Sequence, residues 1–210
     1  MIHNIFPTKV LIKELDFSDE FTTDLTATIE AIYKQYEGET GKRMIDISNN
    51  SMPVFTEENL KNFPELQTIQ HIFIDGFYEL ASSYSTNKFT KNQIQKMVTN
   101  YSGRLPFLGK GEYRRVHTHV GASAYGILYL KDVDNQKKGG ELILHDPSFH
   151  NNFGFTEQNQ FPISTIKNRL VIAPAYIWHE VTPYTGEENR VSIVLNLDIF
   201  SESDLLESVG

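Results

Sequence analysis

Cysteine is absent from this 210-residue chain. That excludes disulfides, thiolate metal sites, iron–sulfur clusters and cysteine nucleophiles. No uninterrupted apolar run approaches the roughly 18–20 residues needed to cross a bilayer. Residues 1–7 also lack the charged and apolar regions of a signal peptide. A soluble, cytoplasmic protein with no membrane partner is the expectation. Basic residues are in deficit, 19 Lys and Arg against 27 Asp and Glu, for a formal charge of −8. Such a balance disfavours nonspecific nucleic-acid binding, which depends on neutralising phosphates with Lys and Arg. It leaves a basic protein or a cationic small molecule open as substrate. The acids are spread along the chain, as on an ordinary solubilising surface.

Hydrophobic residues make up 40% of the chain, enough for one substantial core, so one domain with an N-terminal elaboration is expected. Fourteen Phe and ten Tyr favour sheet-rich packing. The first half patterns as α/β. Residues 9–15 partly alternate and predict an edge strand. Ser18 then serves as a helix N-cap, with Asp19 and Glu20 placed where acids complement exposed amides. Phe21, Leu25, Ile29, Ile32 and Tyr36 recur at helical spacing until Gly38. Thr56 caps a short turn near Leu60, and Pro64 opens a helix to about Tyr84 whose apolar stripe runs from Leu66 through Phe73 and Leu80 to Tyr84. These stripes predict packing faces that cover a sheet. From about residue 94, short apolar segments separated by Gly, Pro, Asn and Asp predict strands over 95–101, 112–119, 124–130, 141–145, 163–166, 169–173 and 190–197. The intervals are too short for crossover helices, so an antiparallel barrel or jelly roll is expected.

Five of the seven histidines fall in this strand-rich half. His117 and His119 stand two apart in RRVHTHV, a spacing that on a strand puts both imidazoles on one face with Arg115, and Val116, Thr118 and Val120 on the other. His179 follows 60 residues later, after APAYIW. Three imidazoles can hold a divalent first-row metal and leave positions for substrates, although paired histidines also occur as ordinary hydrogen-bonded residues. Arg190 begins the strand RVSIVLNL, and Ser192 shares its face while Val191, Ile193, Leu195 and Leu197 form the other. An inward Arg is costly unless an anion or a protein carboxylate pairs with it. Arg binds a carboxylate through two parallel hydrogen bonds, and Ser192 offers another. The competing reading pairs this Arg with a surface Glu.

The segments HTHVGASAYGILYLKDV, KKGGELILHDPS and NRLVIAPAYIWHEVTPYTGEENRVSIVLNL, in that order, strongly resemble 2-oxoglutarate/Fe(II) oxygenases, with likeness to a short phage and bacterial subgroup and to the prolyl-hydroxylase-like branch. The resemblance covers about residues 95–200. It implies a mainly β fold with N-terminal α/β elements, a double-stranded β-helix (jelly roll) with supporting helices. It also implies one oxygenase-like domain over 1–210, with helical support in 1–93, the β-helix core in 94–200 and a tail in 201–210. The implied metal is Fe(II), held by His117, His119 and His179, with 2-oxoglutarate as cosubstrate. Arg190 takes the basic position facing its distal carboxylate, Ser192 completes the arrangement, and Tyr113, Tyr125 or Tyr129 adds a hydrogen bond. Tyr125 and Tyr129 share one strand face. Oxidative decarboxylation to succinate and carbon dioxide would accompany hydroxylation of a C–H bond by dioxygen, the partners being dioxygen and a peptidyl or small-molecule substrate.

One departure stands out. The common pattern has an acid two residues after the first histidine, where this chain has His119. Either His119 is the second ligand, the reading favoured by spacing, or Asp146 or Glu141 reaches the metal. Gly139 and Gly140 predict a tight turn before Glu141, His145 and Asp146 are candidates for the pocket mouth, and Trp178 is expected to pack against the barrel. Residues 103–112 and 147–161 are candidate rims, with Phe149, Phe153 and Phe155 as contacts or seals. Two other functions compete. A cupin-like metal oxygenase without 2-oxoglutarate would use the Gly111, His117 and His119 spacing, although the glutamate expected after that pair is missing. A nonenzymatic jelly-roll binding module would keep the histidines structural. The N-terminal helices are expected to cover the sheet, with a homodimer contact as the second reading.

Overall fold

The computed structural model describes residues 8–40, 54–84, 98–147 and 159–199. Helix α1 spans Asp19–Thr40, α2 Glu57–Asn62 and α3 Pro64–Tyr84, and a short turn of helix, α4, spans Asn135–Lys138. Ser18 caps α1 by accepting from the Phe21 amide at 3.1 Å, and Thr56 caps α2 through the Asn59 amide at 3.0 Å. Pro64 opens α3 at a position where its missing N–H would have had no partner. Helical spacing then delivers Leu25 and Ile29 from α1, and Leu66, Ile69, Phe73 and Phe77 from α3, into one buried cluster. Tyr84, the end of the expected stripe, is exposed instead.

The strands are β1 Leu11–Glu14, β2 Val98–Arg104, β3 Phe107–Leu108, β4 Arg114–His117, β5 Ala124–Tyr129, β6 Leu142–His145, β7 Gln160–Ile163, β8 Arg169–Pro174, β9 His179–Val181 and β10 Arg190–Ile199. They form two antiparallel sheets. The larger runs β1-β8-β5-β10-β2, with β3 joined to β10, and the smaller runs β4-β9-β6-β7. The period-two alternation of the large sheet divides the core. Ala124, Leu128, Leu170, Ile172, Ile193 and Leu195 face the helices, while Tyr125, Ile127, Tyr129, Val171, Ala173 and Val194 face the small sheet. Gly126 permits the close approach of α3, because a Cβ there would lie 2.6 Å from the Phe73 ring.

Several expected strands shift. The strand expected over 112–119 ends at His117, and the chain turns so that the His119 amide donates to Ala175 at 3.1 Å and the Ala122 amide to His119. Strand alternation therefore does not position His119. The strand expected over 163–166 is Gln160–Ile163, since Thr165 leaves the ladder to donate to the Gly140 carbonyl at 3.0 Å. The strand expected over 95–101 runs Val98–Arg104, its first three residues lying outside the described ones. Trp178, expected to pack against the barrel, is 52% exposed: it lies just before β9, and alternation turns it away from the face that buries His179. The expected tail 201–210 and the rim aromatics Phe149, Phe153 and Phe155 lie outside the described residues.

Candidate metal centre

Pairing of β4 with β9 sets His117 directly opposite His179, and pairing of β9 with β6 sets His179 opposite Leu144. Directly opposed residues share a face, so both imidazoles enter the space between the sheets. The turn after β4 brings His119 to the same point. Its ring centroid lies 4.9 Å from that of His179, and the His117 and His179 centroids are 4.3 Å apart. The three rings offer nitrogen atoms that all lie within 4.8 Å of one another. Below them the Tyr125 ring stacks on both His119, at 4.5 Å and 12°, and His179, at 4.4 Å and 24°.

The second nitrogen of each ring fixes its tautomer. Nδ1 of His117 faces the Arg115 carbonyl at 2.7 Å, Nδ1 of His179 the Ile177 carbonyl at 3.0 Å, and Nδ1 of His119 the Asn196 Oδ1 at 2.5 Å. Carbonyl oxygens only accept, so each Nδ1 carries the hydrogen and each Nε2 presents its lone pair. Burial drives the His179 pKa down to about 3, helped by the neighbouring His117. Burial also lowers that of His119 to about 4, against the pull of Asn196. Both rings are therefore neutral at physiological pH, the form that binds metal. Two of the lone pairs oppose each other, His119 Nε2 and His179 Nε2 standing 3.1 Å apart. Nitrogens on adjacent corners of one cation with bonds of about 2.1 Å are spaced about 3.0 Å apart. A divalent metal fits this donor set.

Deeper between the sheets lies a cation with little to hold it. Arg190 is 2% exposed, and its Nε donates to Thr165 Oγ1 at 3.3 Å while its guanidinium lies 5.0 Å from the centre of the Tyr129 ring. Burial lowers its pKa. No carboxylate among the described residues pairs with it. Around it, Ser192 Oγ and Tyr129 Oη are buried without a hydrogen-bond partner; the Tyr129 hydroxyl nears the same guanidinium but misses bonding geometry. Tyr125 Oη is likewise buried and unsatisfied. Ser192 and Tyr129 oppose each other across β10 and β5. An unpaired buried cation costs several kcal/mol, and each orphaned hydroxyl about 1–3 kcal/mol. A carboxylate placed among Arg190, Ser192 and Tyr129 would pair the cation and accept from both hydroxyls.

The wall beside Arg190 is made by the glycine pair. Gly139 and Gly140 hold φ of +65° and +78°, and a Cβ on Gly140 would lie 3.2 Å from Arg190 Cδ. Both glycines of the expected turn hold the left-handed backbone that favours glycine. Tyr113 is 46% exposed and stands apart from these groups. Among the described residues the metal-capable group is His117, His119 and His179, and it contains neither Glu141 nor Asp146. His145 instead brings Nε2 within 3.3 Å of Glu180. Sequence reasoning missed Asn196 and Thr165. Asn196 was within reach, because it shares the alternate face of Arg190 and Ser192 on β10; Thr165 gave no such signal, being placed by a turn.

Residues 106–196 match the model of a family described as "Putative 2OG-Fe(II) oxygenase", the segment that holds all three histidines and Arg190. That segment of the chain is similar to the 2-oxoglutarate/Fe(II) oxygenases. Solved structures share the fold of this chain. A Pseudomonas putida prolyl-4-hydroxylase has TM-score 0.55 at 13% identity, covering 92% of this chain and 89% of its own. A Trichoplax adhaerens prolyl hydroxylase, solved with a hypoxia inducible factor peptide, has TM-score 0.59 at 17% identity, covering 95% and 86%. HygX from Streptomyces hygroscopicus, solved with nickel and 2-oxoglutarate, has TM-score 0.58 at 9% identity, covering 91% and 82%. No curated protein matches the sequence. No helix among the described residues is long and apolar enough to cross a membrane.

Proposed function

We propose that this protein is an Fe(II)- and 2-oxoglutarate-dependent dioxygenase that hydroxylates a C–H bond of a peptide, amino acid or small metabolite. The observation that carries the reading is the buried Arg190, unpaired by any described carboxylate and surrounded by orphaned hydroxyls, beside three convergent imidazoles. In this reading His117, His119 and His179 hold the metal through Nε2. Arg190 grips the distal carboxylate of 2-oxoglutarate, with Ser192 and Tyr129 donating to it. Tyr125 supports the imidazole rings by stacking. Iron, 2-oxoglutarate and dioxygen together supply the oxidising chemistry, yielding succinate, carbon dioxide and the hydroxylated product. The chain's own contribution is to hold donor atoms, cosubstrate and target carbon in register and to keep bulk water from the deep end of the pocket. The two sheets, closing as a double-stranded β-helix over 94–200 with helical support from 1–93, would form one domain.

Three imidazoles carry no charge to offset the cation, whereas the common acid would supply one negative charge. The dianionic cosubstrate then does more of the neutralising, so metal and 2-oxoglutarate should each tighten the other's binding. A cupin-like oxygenase could use the same three imidazoles, but it has no use for a buried Arg beside orphaned hydroxyls.

The test is an anaerobic titration with Fe(II) and 2-oxoglutarate, followed by their weak metal-to-ligand charge-transfer absorption. Arg190→Ala should weaken 2-oxoglutarate while sparing bare-metal binding, and His119→Ala should weaken the metal itself. Metal binding with no cosubstrate band would move the assignment to the cupin-like reading, and a His119→Ala protein with unchanged metal affinity would remove His119 from the ligand set.

A further inference from the structure

A second arginine faces the centre from β2, the strand beside β10 in the same sheet. Register places Arg104 of β2 opposite Val194 of β10, and Ser102 opposite Asn196. Val194 lies in the cluster between the sheets, and Asn196 hydrogen-bonds His119, so this face of β2 looks into the site. Its neighbours confirm the alternation: Leu105 is buried against the helices, and a Cβ on Gly103 would strike the Phe55 ring of the same cluster. Arg104 Nε is buried without a hydrogen-bond partner, and no ion pair holds the side chain among the described residues. Its charge is felt at His119, where it disfavours protonation. Ser102, one step along the same face, is exposed, so this flank of the centre opens to solvent.

An unpaired guanidinium beside a cation-binding centre is doubly unfavourable, being partly desolvated and repelled by the metal. Both costs are offset by an anion lying between Arg104 and the metal. Arg190 is too far to share that anion. Its backbone is four residues from Val194 along β10, about 13 Å at roughly 3.3 Å per residue, toward the closed end of the pocket.

We propose that Arg104 is a substrate-binding residue, and that the molecule oxidised here presents a carboxylate to it, entering by the Ser102 flank. The inference rests on the oxygenase reading and narrows it, from any C–H substrate to a carboxylate-bearing one. The other source of the same chemistry is the cosubstrate's own metal-side carboxylate, and the experiment separates the two.

The probe is difluoroacetate, followed by its 19F linewidth against full-length protein loaded with Co(II) and saturated with 2-oxoglutarate under anaerobic conditions. With the cosubstrate pocket filled, a second carboxylate held near the paramagnetic ion should show strong, saturable broadening. Arg104→Gln should weaken that binding at least tenfold, Arg104→Lys should retain part of it, and 2-oxoglutarate affinity should stay within twofold in both. Broadening that survives Arg104→Gln would overturn the proposal. So would a tenfold loss of 2-oxoglutarate affinity in that variant, which would assign Arg104 to the cosubstrate. The same linewidths in metal-free protein keep the two readings apart. Failure to bind Co(II) and 2-oxoglutarate defeats the oxygenase reading alone, whereas identical metal-free binding by wild type and Arg104→Gln defeats the role of Arg104.

Discussion

Replacing Arg190 by Met should move binding and stability in opposite directions. In the ligand-free protein the guanidinium is 2% exposed, with one 3.3 Å hydrogen bond to Thr165 and a stacking contact with Tyr129. The stacking is worth up to about 2 kcal/mol when desolvated. Against it stands a desolvation cost of several kcal/mol that no described carboxylate repays. Met fills most of the volume without the charge, so the ligand-free protein should gain about 1–3 kcal/mol. For a chain of this length that raises Tm by about 2–4 °C per kcal/mol. The cosubstrate sees the reverse. Truncating one partner of a buried, hydrogen-bonded charge pair costs about 2–5 kcal/mol, a loss of 2-oxoglutarate affinity from about 30-fold to several thousand-fold. Urea unfolding of metal-free protein measures the first effect, and the anaerobic charge-transfer titration the second. A Met variant that is destabilised and still binds 2-oxoglutarate normally would refute the reasoning, because Arg190 would then be a structural cation with a partner of its own.

Asn196→Ala should lower metal affinity about 10- to 100-fold by freeing the His119 tautomer, measured by chelator competition, with Asn196→Asp recovering it. The metal-free protein should lose stability on acidification. His179 and His119 stay neutral in the fold down to about 3 and 4, whereas the unfolded chain protonates them near 6.5. The unfolded state therefore holds more protons between about pH 4 and 6.5, and stability falls as pH drops through that window by up to about 2.7 kcal/mol per unit for the pair. Above it the two groups contribute no slope. A double His→Asn variant should flatten the urea midpoint against pH, and an unchanged slope would assign it to other groups. Gly139→Ala should cost at least about 2 kcal/mol in unfolding experiments, because φ is +65° and a Cβ would lie 2.1 Å from the Pro183 carbonyl oxygen.

Local pattern carried much of this protein. Helical spacing marked both long helices, Ser18 and Pro64 marked their starts, and alternation on β10 put Arg190 and Ser192 on one face and Val191, Ile193 and Leu195 on the other. All of these depend on neighbours in sequence, which is why the chain alone displays them. Other features depend on register between distant segments. His117 meets His179 because β4 pairs with β9, and Arg104 faces the centre because β2 pairs with β10. His119 was assigned to the site through a strand face that ends two residues earlier; a turn anchored on Ala175 and a hydrogen bond from β10 bring it there. Composition along the chain gives the ligand types, whereas only the packed sheets decide which lone pairs converge and which cations are left unpaired.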